Sequence, residues 1–265
     1  MAASTGRFVW HELLTTDPEA ARAFYGAVVG WTAQAAPPPN ADYTMLLNAG
    51  HPSAGMMALP KRAREAGARP GWLGYIGVEG VDAAVEQATG LGATVHLPPH
   101  DIPGVGRIAV IADPQQAAVA FFQAATAMPE PLMAAEVPGQ VGWNELLTTD
   151  WEAAFGFYAA MFGWRKDDAV DMGPMGTYQL FGLGGPSIGG MFNKPPAVPE
   201  PFWQYYFTVA DIDAGLGRIT AAGGQVLNGP MEVPGGMWIV QALDPQGAIF
   251  ALVGKRVQKV APAQK

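Results

Sequence analysis

Apolar and polar positions alternate with a period of two through Val9, His11 and Leu13, which predicts a strand, and the period then lengthens. Asp17 is placed to cap a helix whose apolar stripe is Ala20, Ala21, Phe24 and Val28, with Gly30 as its stop. A weaker copy of the same order follows. The strand around Tyr75 leads into a stripe of Val81, Ala84, Val85 and Ala88 before Gly90 and Gly92. Short strand-like runs come after each helix: YTMLLNA and SAGMMAL after the first, then TVHL, RIAVIA and AVAFFQ after the second. The predicted order is β-α-β-β-β, twice.

The whole pattern then recurs. Residues 8–31 and 141–164 are identical at 15 of 24 positions without a gap. PSAGMM is answered by PSIGGM, the strand of Leu73 and Tyr75 by that of Gln204 and Tyr206, and DPQQ by DPQG, always 131–135 residues on. The chain is a duplication, with four βαβββ modules in all. The expected division is a first domain at 1–123, a Pro-rich linker at 124–140, a second domain at 141–256 and a flexible tail at 257–265. A module of this size cannot close a core alone, so an α+β architecture follows, with modules paired into two curved, cavity-forming sheets and helices outside.

Paired βαβββ modules, the run D-x-x-x-A-x-x-F-Y-x-x-x-x-G-W in both halves and a D-P before each last strand resemble the vicinal-oxygen-chelate superfamily of glyoxalases, bleomycin-resistance proteins and extradiol dioxygenases. The doubled W-x-E-L-L-T-T-D is similar to a two-domain, glyoxalase-like bacterial group. The resemblance implies a divalent ion in the sheet cavity, acting as a Lewis acid on a small molecule. It assigns the ligand positions to Trp10, Leu73 and Ala120 in the first half and to Trp143, Gln204 and Ala251 in the second. Of these only Gln204 can ligate, so the metal site is expected to be lost, with no cofactor.

Residues two apart on a strand share a face. Glu12 therefore joins Trp10, and Tyr75 joins Leu73; in the second half Glu145, Tyr206 and Gln204 join Trp143. A carboxyl among apolar residues loses hydration, which suits Glu12 and Glu145 to general acid or base work. The competing reading ties each to its facing tyrosine or to backbone as a structural bond. Trp10, Tyr75, Trp143, Gln204 and Tyr206 are candidate ligand contacts, with core packing as the default for the tryptophans and tyrosines. Indole, phenol and carboxylate together suit an aromatic, heterocyclic or cationic small molecule. His96, His100 and Asp101 form a fallback metal patch, otherwise a solvated loop, because Pro98 and Pro99 rule out one helical face.

Composition narrows the classes. Fifteen Lys and Arg against 23 Asp and Glu give a net charge of −8, which disfavours nucleic acid. The absence of cysteine excludes disulfides, thiolate zinc sites and Cys nucleophiles. With no stretch of membrane-spanning length, a cytoplasmic protein with a small-molecule partner is expected, and the low charge density is compatible with a homodimer. Three functions remain: a metal-independent binder or enzyme, a metal-dependent lyase or dioxygenase, and a ligand-sequestering resistance protein.

Overall fold

Asp17 turns the chain from strand to helix as its spacing requires: its side chain accepts from the Ala20 amide, and Pro18 occupies the first helical position. The computed structural model describes residues 5–126 and 137–257, so residues 127–136 of the expected linker and the tail from 258 lie outside the described residues. In the first half the elements are β1 (Phe8–Thr15), α1 (Pro18–Val28), β2 (Thr32–Ala35), β3 (Thr44–Asn48), β4 (His51–Ala58), a short α2 (Lys61–Glu65), β5 (Gly71–Gly77), α3 (Val81–Gly90), β6 (Thr94–Ile102), β7 (Gly106–Ala112) and β8 (Ala118–Ala124). The second half repeats all but α2, as β9 (Val141–Thr148), α4 (Trp151–Phe162), β10 (Arg165–Asp171), β11 (Thr177–Gly182), β12 (Gly189–Asn193), β13 (Phe202–Val209), α5 (Ile212–Ala221), β14 (Gln225–Val233), β15 (Met237–Leu243) and β16 (Ile249–Gly254).

Each half forms its own open eight-stranded sheet, in the order β2-β3-β4-β1-β5-β8-β7-β6 and β10-β11-β12-β9-β13-β16-β15-β14. Two modules meet where β1 pairs antiparallel with β5, and β9 with β13. No helix among the described residues is long and apolar enough to cross a membrane. His96 and His100 correct one expectation: they lie on β6, a sheet-edge strand, and not in a loop. Pro98 and Pro99 are tolerated there because an edge strand has one unpaired side, and the register shifts around them. Asp101 is held by Arg107 at 2.9 Å, and no group of three or more His, Asp or Glu able to hold a metal ion occurs among the described residues.

The two sheets share one core. Phe8 and Leu13 of β1 join Phe24, Tyr25, Trp72 and Ile76 from the first half and Trp203, Tyr205, Phe207 and Phe250 from the second. Their polar atoms cross between halves in matched pairs. The Tyr158 hydroxyl donates to Asp113 Oδ2 (3.0 Å) while Trp203 Nε1 donates to Tyr158 (2.9 Å). Reciprocally, Tyr25 donates to Asp244 Oδ2 (3.2 Å) and Trp72 Nε1 to Tyr25 (2.9 Å). The other oxygen of each Asp holds its own turn, Asp113 through the amides of Gln115 and Ala117, Asp244 through those of Gln246 and Ala248. Trp31 and Trp164 donate across as well, to the carbonyls of Gly139 and Gly6.

Two contacts join equivalent positions. His11 Nε2 meets Asn144 Oδ1 at 3.0 Å, and the backbone N–H of Gly74 donates to the Tyr205 hydroxyl oxygen at 2.8 Å. Asn144 uses its amide nitrogen on the Ile188 carbonyl, so the proton between His11 and Asn144 belongs to the imidazole. Burial lowers the His11 pKa to about 4, and the Asn144 bond only partly opposes this. With the folded pKa below histidine's ordinary 6.5, the unfolded chain takes up the proton first as pH falls. The stability contributed is complete above pH 6.5 and is lost on the way down to about 4, a loss of about 3 kcal/mol. His11→Asn is expected to lack this component. Urea unfolding of both proteins between pH 7 and pH 4 measures it, and parallel pH profiles would refute it.

Candidate functional site

The face of each sheet turned away from the shared core carries a second, smaller apolar cluster. In the first half it comprises Val9, Leu73, Tyr75, Ile108, Ala120 and Phe122, with Trp10 and Val110 against it; in the second it comprises Tyr206, Ile239 and Ala251, with Trp143 and Val253. Strand register sets the rows. Trp10, Tyr75, Ala120, Val110 and Leu97 lie side by side across β1, β5, β8, β7 and β6. Trp143, Tyr206, Ala251, Gln241 and Asn228 form the matching row. One row along, Glu12 sits between Gly55 and Leu73, and Glu145 between Gly190 and Gln204. All seven candidate site residues therefore lie on these outer faces, and the two tryptophans are not in the main core.

Each glutamate is only 6% exposed and is gripped by phenols. Glu12 Oε1 accepts from Tyr75 at 2.9 Å, and Tyr43 turns its hydroxyl to the same carboxyl. Glu145 accepts from Tyr206 at 2.7 Å through Oε1 and from Tyr178 at 2.8 Å through Oε2. The tryptophans brace this arrangement from behind: Trp10 Nε1 donates to Tyr43 (2.8 Å) and Trp143 Nε1 to Tyr178 (2.7 Å). Desolvation pushes both carboxyls above the usual carboxylate range, while the tyrosine bonds pull the other way. Burial and the adjacent carboxyl push Tyr75, Tyr178 and Tyr206 well above the ordinary phenol value. The bond from Glu to the facing tyrosine was foreseen; Tyr43 and Tyr178 were not.

Those two phenols reach the glutamates over a strand that offers no obstacle. A Cβ on Gly55 would fall on the Tyr43 hydroxyl, and one on Gly190 within 2.2 Å of the Tyr178 ring. Both pairs obey the repeat, each separated by 135 residues, so the doubled sequence contained the signal.

A profile of the Glyoxalase/Bleomycin resistance protein/Dioxygenase superfamily matches residues 7–121 and again 140–252. The chain belongs to this superfamily. It is 36% identical over 258 residues to a Mycobacterium tuberculosis protein named provisionally as the glyoxylase CFP32, covering 96% of this chain and 95% of the relative. It is 32% identical over 268 residues to the anthracycline biosynthesis protein DnrV of Streptomyces peucetius, covering 95% and 94%. Among solved structures, the Mn(II)-bound glyoxalase of Novosphingobium aromaticivorans superposes with a TM-score of 0.65 at 14% identity, over 96% of this chain and 83% of that one. The homoprotocatechuate 2,3-dioxygenase of Brevibacterium fuscum, in complex with 3,4-dihydroxyphenylacetate, gives 0.65 at 16%, over 98% and 83%. Such identities establish the shared fold.

The superfamily resemblance implies a metal ion, and the donors here do not fit one. In the first half the positions expected to ligate hold an indole, a leucine and an alanine; in the second an indole, an amide and an alanine. Glu12 and Glu145 are the buried carboxylates on these faces, each already enclosed by two phenol hydroxyls, and the amides of Gln204, Gln241 and Asn228 on the second face bond to one another and to Tyr206. A site that holds a transition-metal ion by itself gathers roughly three or four protein ligands around one point.

Proposed function

We propose that the outer faces hold a small aromatic or heterocyclic molecule and that Glu12 or Glu145 exchanges a proton with it, without a metal ion. The observation that carries this reading is the Glu145 carboxyl, buried in an apolar surface with both oxygens held by tyrosines, beside a partly exposed indole. The indole face offers stacking. A hydroxyl placed between carboxyl and ligand can pass a proton in either direction: the tyrosine gives its proton to the ligand as it takes one from the glutamic acid. A carboxyl with an upshifted pKa is suited to that exchange nearer neutral pH than an exposed one. The anthracycline relative supports an aromatic ligand, since anthracyclines are polycyclic aromatic ketones.

The engagement of both Glu145 oxygens also supports a sequestering role, in which the glutamates only aim the phenols. Glu12→Gln and Glu145→Gln separate the two. Proton transfer predicts a fall in turnover of about 100-fold or more with ligand affinity changed only a few-fold. Unchanged turnover in the double variant, or near-stoichiometric metal retained by the purified protein after gel filtration, would overturn the metal-independent mechanism. A bound ligand with no turnover in the unaltered protein would establish sequestration.

A further inference from the structure

The two outer faces are built to one plan, yet three equivalent positions differ in the same sense. Leu73, Val110 and Leu97 in the first half correspond to Gln204, Gln241 and Asn228 in the second. An aliphatic floor has become a floor of amides. The amides form a directed chain across Ala251, whose small side chain leaves the space. Asn228 Nδ2 donates to Gln241 Oε1 at 3.3 Å, and Gln241 Nε2 donates to the Tyr206 oxygen at 3.1 Å and to Gln204 Oε1 at 3.3 Å.

The direction is not arbitrary. The Tyr206 hydroxyl donates to Glu145 Oε1, so the Tyr206 oxygen is left to accept from Gln241. Gln241 therefore presents its NH2 group, Gln204 answers with Oε1, and Gln204 Nε2 is left as the end of the chain. That nitrogen is buried in a residue only 1% exposed and has no hydrogen-bond partner among the described residues. A buried N–H without an acceptor costs about 1–3 kcal/mol, and its place on the outer face marks where an acceptor belongs.

We infer that the second-half face recognises a neutral oxygen acceptor, a ketone, quinone or amide carbonyl on an aromatic ligand, through Gln204 Nε2, and that the first-half face lacks this recognition. This rests on the aromatic-ligand reading above. The neutral acceptor is favoured over an anion because Glu145 lies directly beside Gln204 in register, and its ionised form repels negative charge. The first half offers Leu73 at the same place and can only match hydrocarbon. The two halves then bind different ligands, or different ends of the same kind of ligand, with unequal affinity.

The test uses a matched pair of probes, 9-fluorenone and its carbonyl-free analogue fluorene, titrated by tryptophan fluorescence and calorimetry against the full-length protein. The variants are Gln204→Leu, Leu73→Gln and the double exchange. Gln204→Leu installs the residue that the first half already accepts at this register. Fluorenone is expected to bind the second-half face about ten-fold more tightly than fluorene. Gln204→Leu should abolish that preference while leaving fluorene affinity in place, and Gln241→Val, copying Val110, should weaken it by loosening the chain. A preference for fluorenone that survives Gln204→Leu overturns the inference alone, as does equal binding of the two probes to the unaltered protein. Failure of both probes to bind overturns the aromatic-ligand reading and this inference with it.

Discussion

Asp113→Ala is expected to lower the free energy of unfolding by about 3 kcal/mol, and Asp244→Ala by a similar amount, as read from urea denaturation at constant m value. Asp113 serves both halves at once. One oxygen closes its own turn on two backbone amides, and the other receives the Tyr158 hydroxyl from the opposite half. Alanine leaves those donors in a buried setting without an acceptor, and unmet buried donors dominate the cost. Tyr158→Phe removes the cross-half bond and the acceptor of Trp203 Nε1 but leaves the turn closed, so a smaller loss of about 1–2 kcal/mol is expected. If Asp113→Ala cost no more than Tyr158→Phe, the turn would contribute nothing and this account of the clasp would fail.

Gly190→Ala, although it adds only one methyl, is expected to do the greatest damage to the candidate site. The new Cβ would lie within 2.2 Å of the Tyr178 ring, so the phenol has to leave its place. Two bonds go with it, to Glu145 and from Trp143, and the glutamate loses half of its grip. The expected result is a stability loss of about 2–3 kcal/mol and a large change in Trp143 fluorescence. Gly156→Ala is the control, since a Cβ there meets nothing within 4 Å. Equal behaviour of the two variants would mean that Tyr178 is not seated over Gly190.

The family motif and the ligand face are made of different residues, and this explains what could be read from sequence. The aspartate that opens α1, the F-Y pair, the closing G-W and the D-P turn are all visible in the repeat. In the structure Tyr25, Trp31, Asp113 and their counterparts bind one half to the other. The pattern therefore revealed the architecture and was silent on chemistry. Strand alternation placed Trp10, Glu12, Tyr75 and their counterparts on one face, because period two needs only the strand itself. Tyr43 and Tyr178 reach the glutamates from one strand farther out, across a glycine. That contact depends on cross-strand register, which alternation along a single strand does not encode. The continuation of β6 from TVHL through Pro98 and Pro99 to Ile102 was missed for a related reason. Two prolines argue against a strand unless its edge position is known, and edge position belongs to the sheet.

The near-twofold junction has a lasting effect on which surfaces can pair. Positions 74 and 205 are equivalent, and they meet. A Cβ on Gly74 would lie 2.5 Å from the Tyr205 hydroxyl, so the phenol of one half fills the hollow of the other. Two first halves would face each other across an empty hollow at this point, and two second halves would drive phenol into phenol. His11 and Asn144 add a second unlike pair at the junction, the imidazole of one half bonded to the amide of the other. The halves thus fit as lock and key where their resemblance suggests mirror copies. A single half pairing with itself could not reproduce these contacts, so the junction joins one first half to one second half, and with them two outer faces whose floors differ.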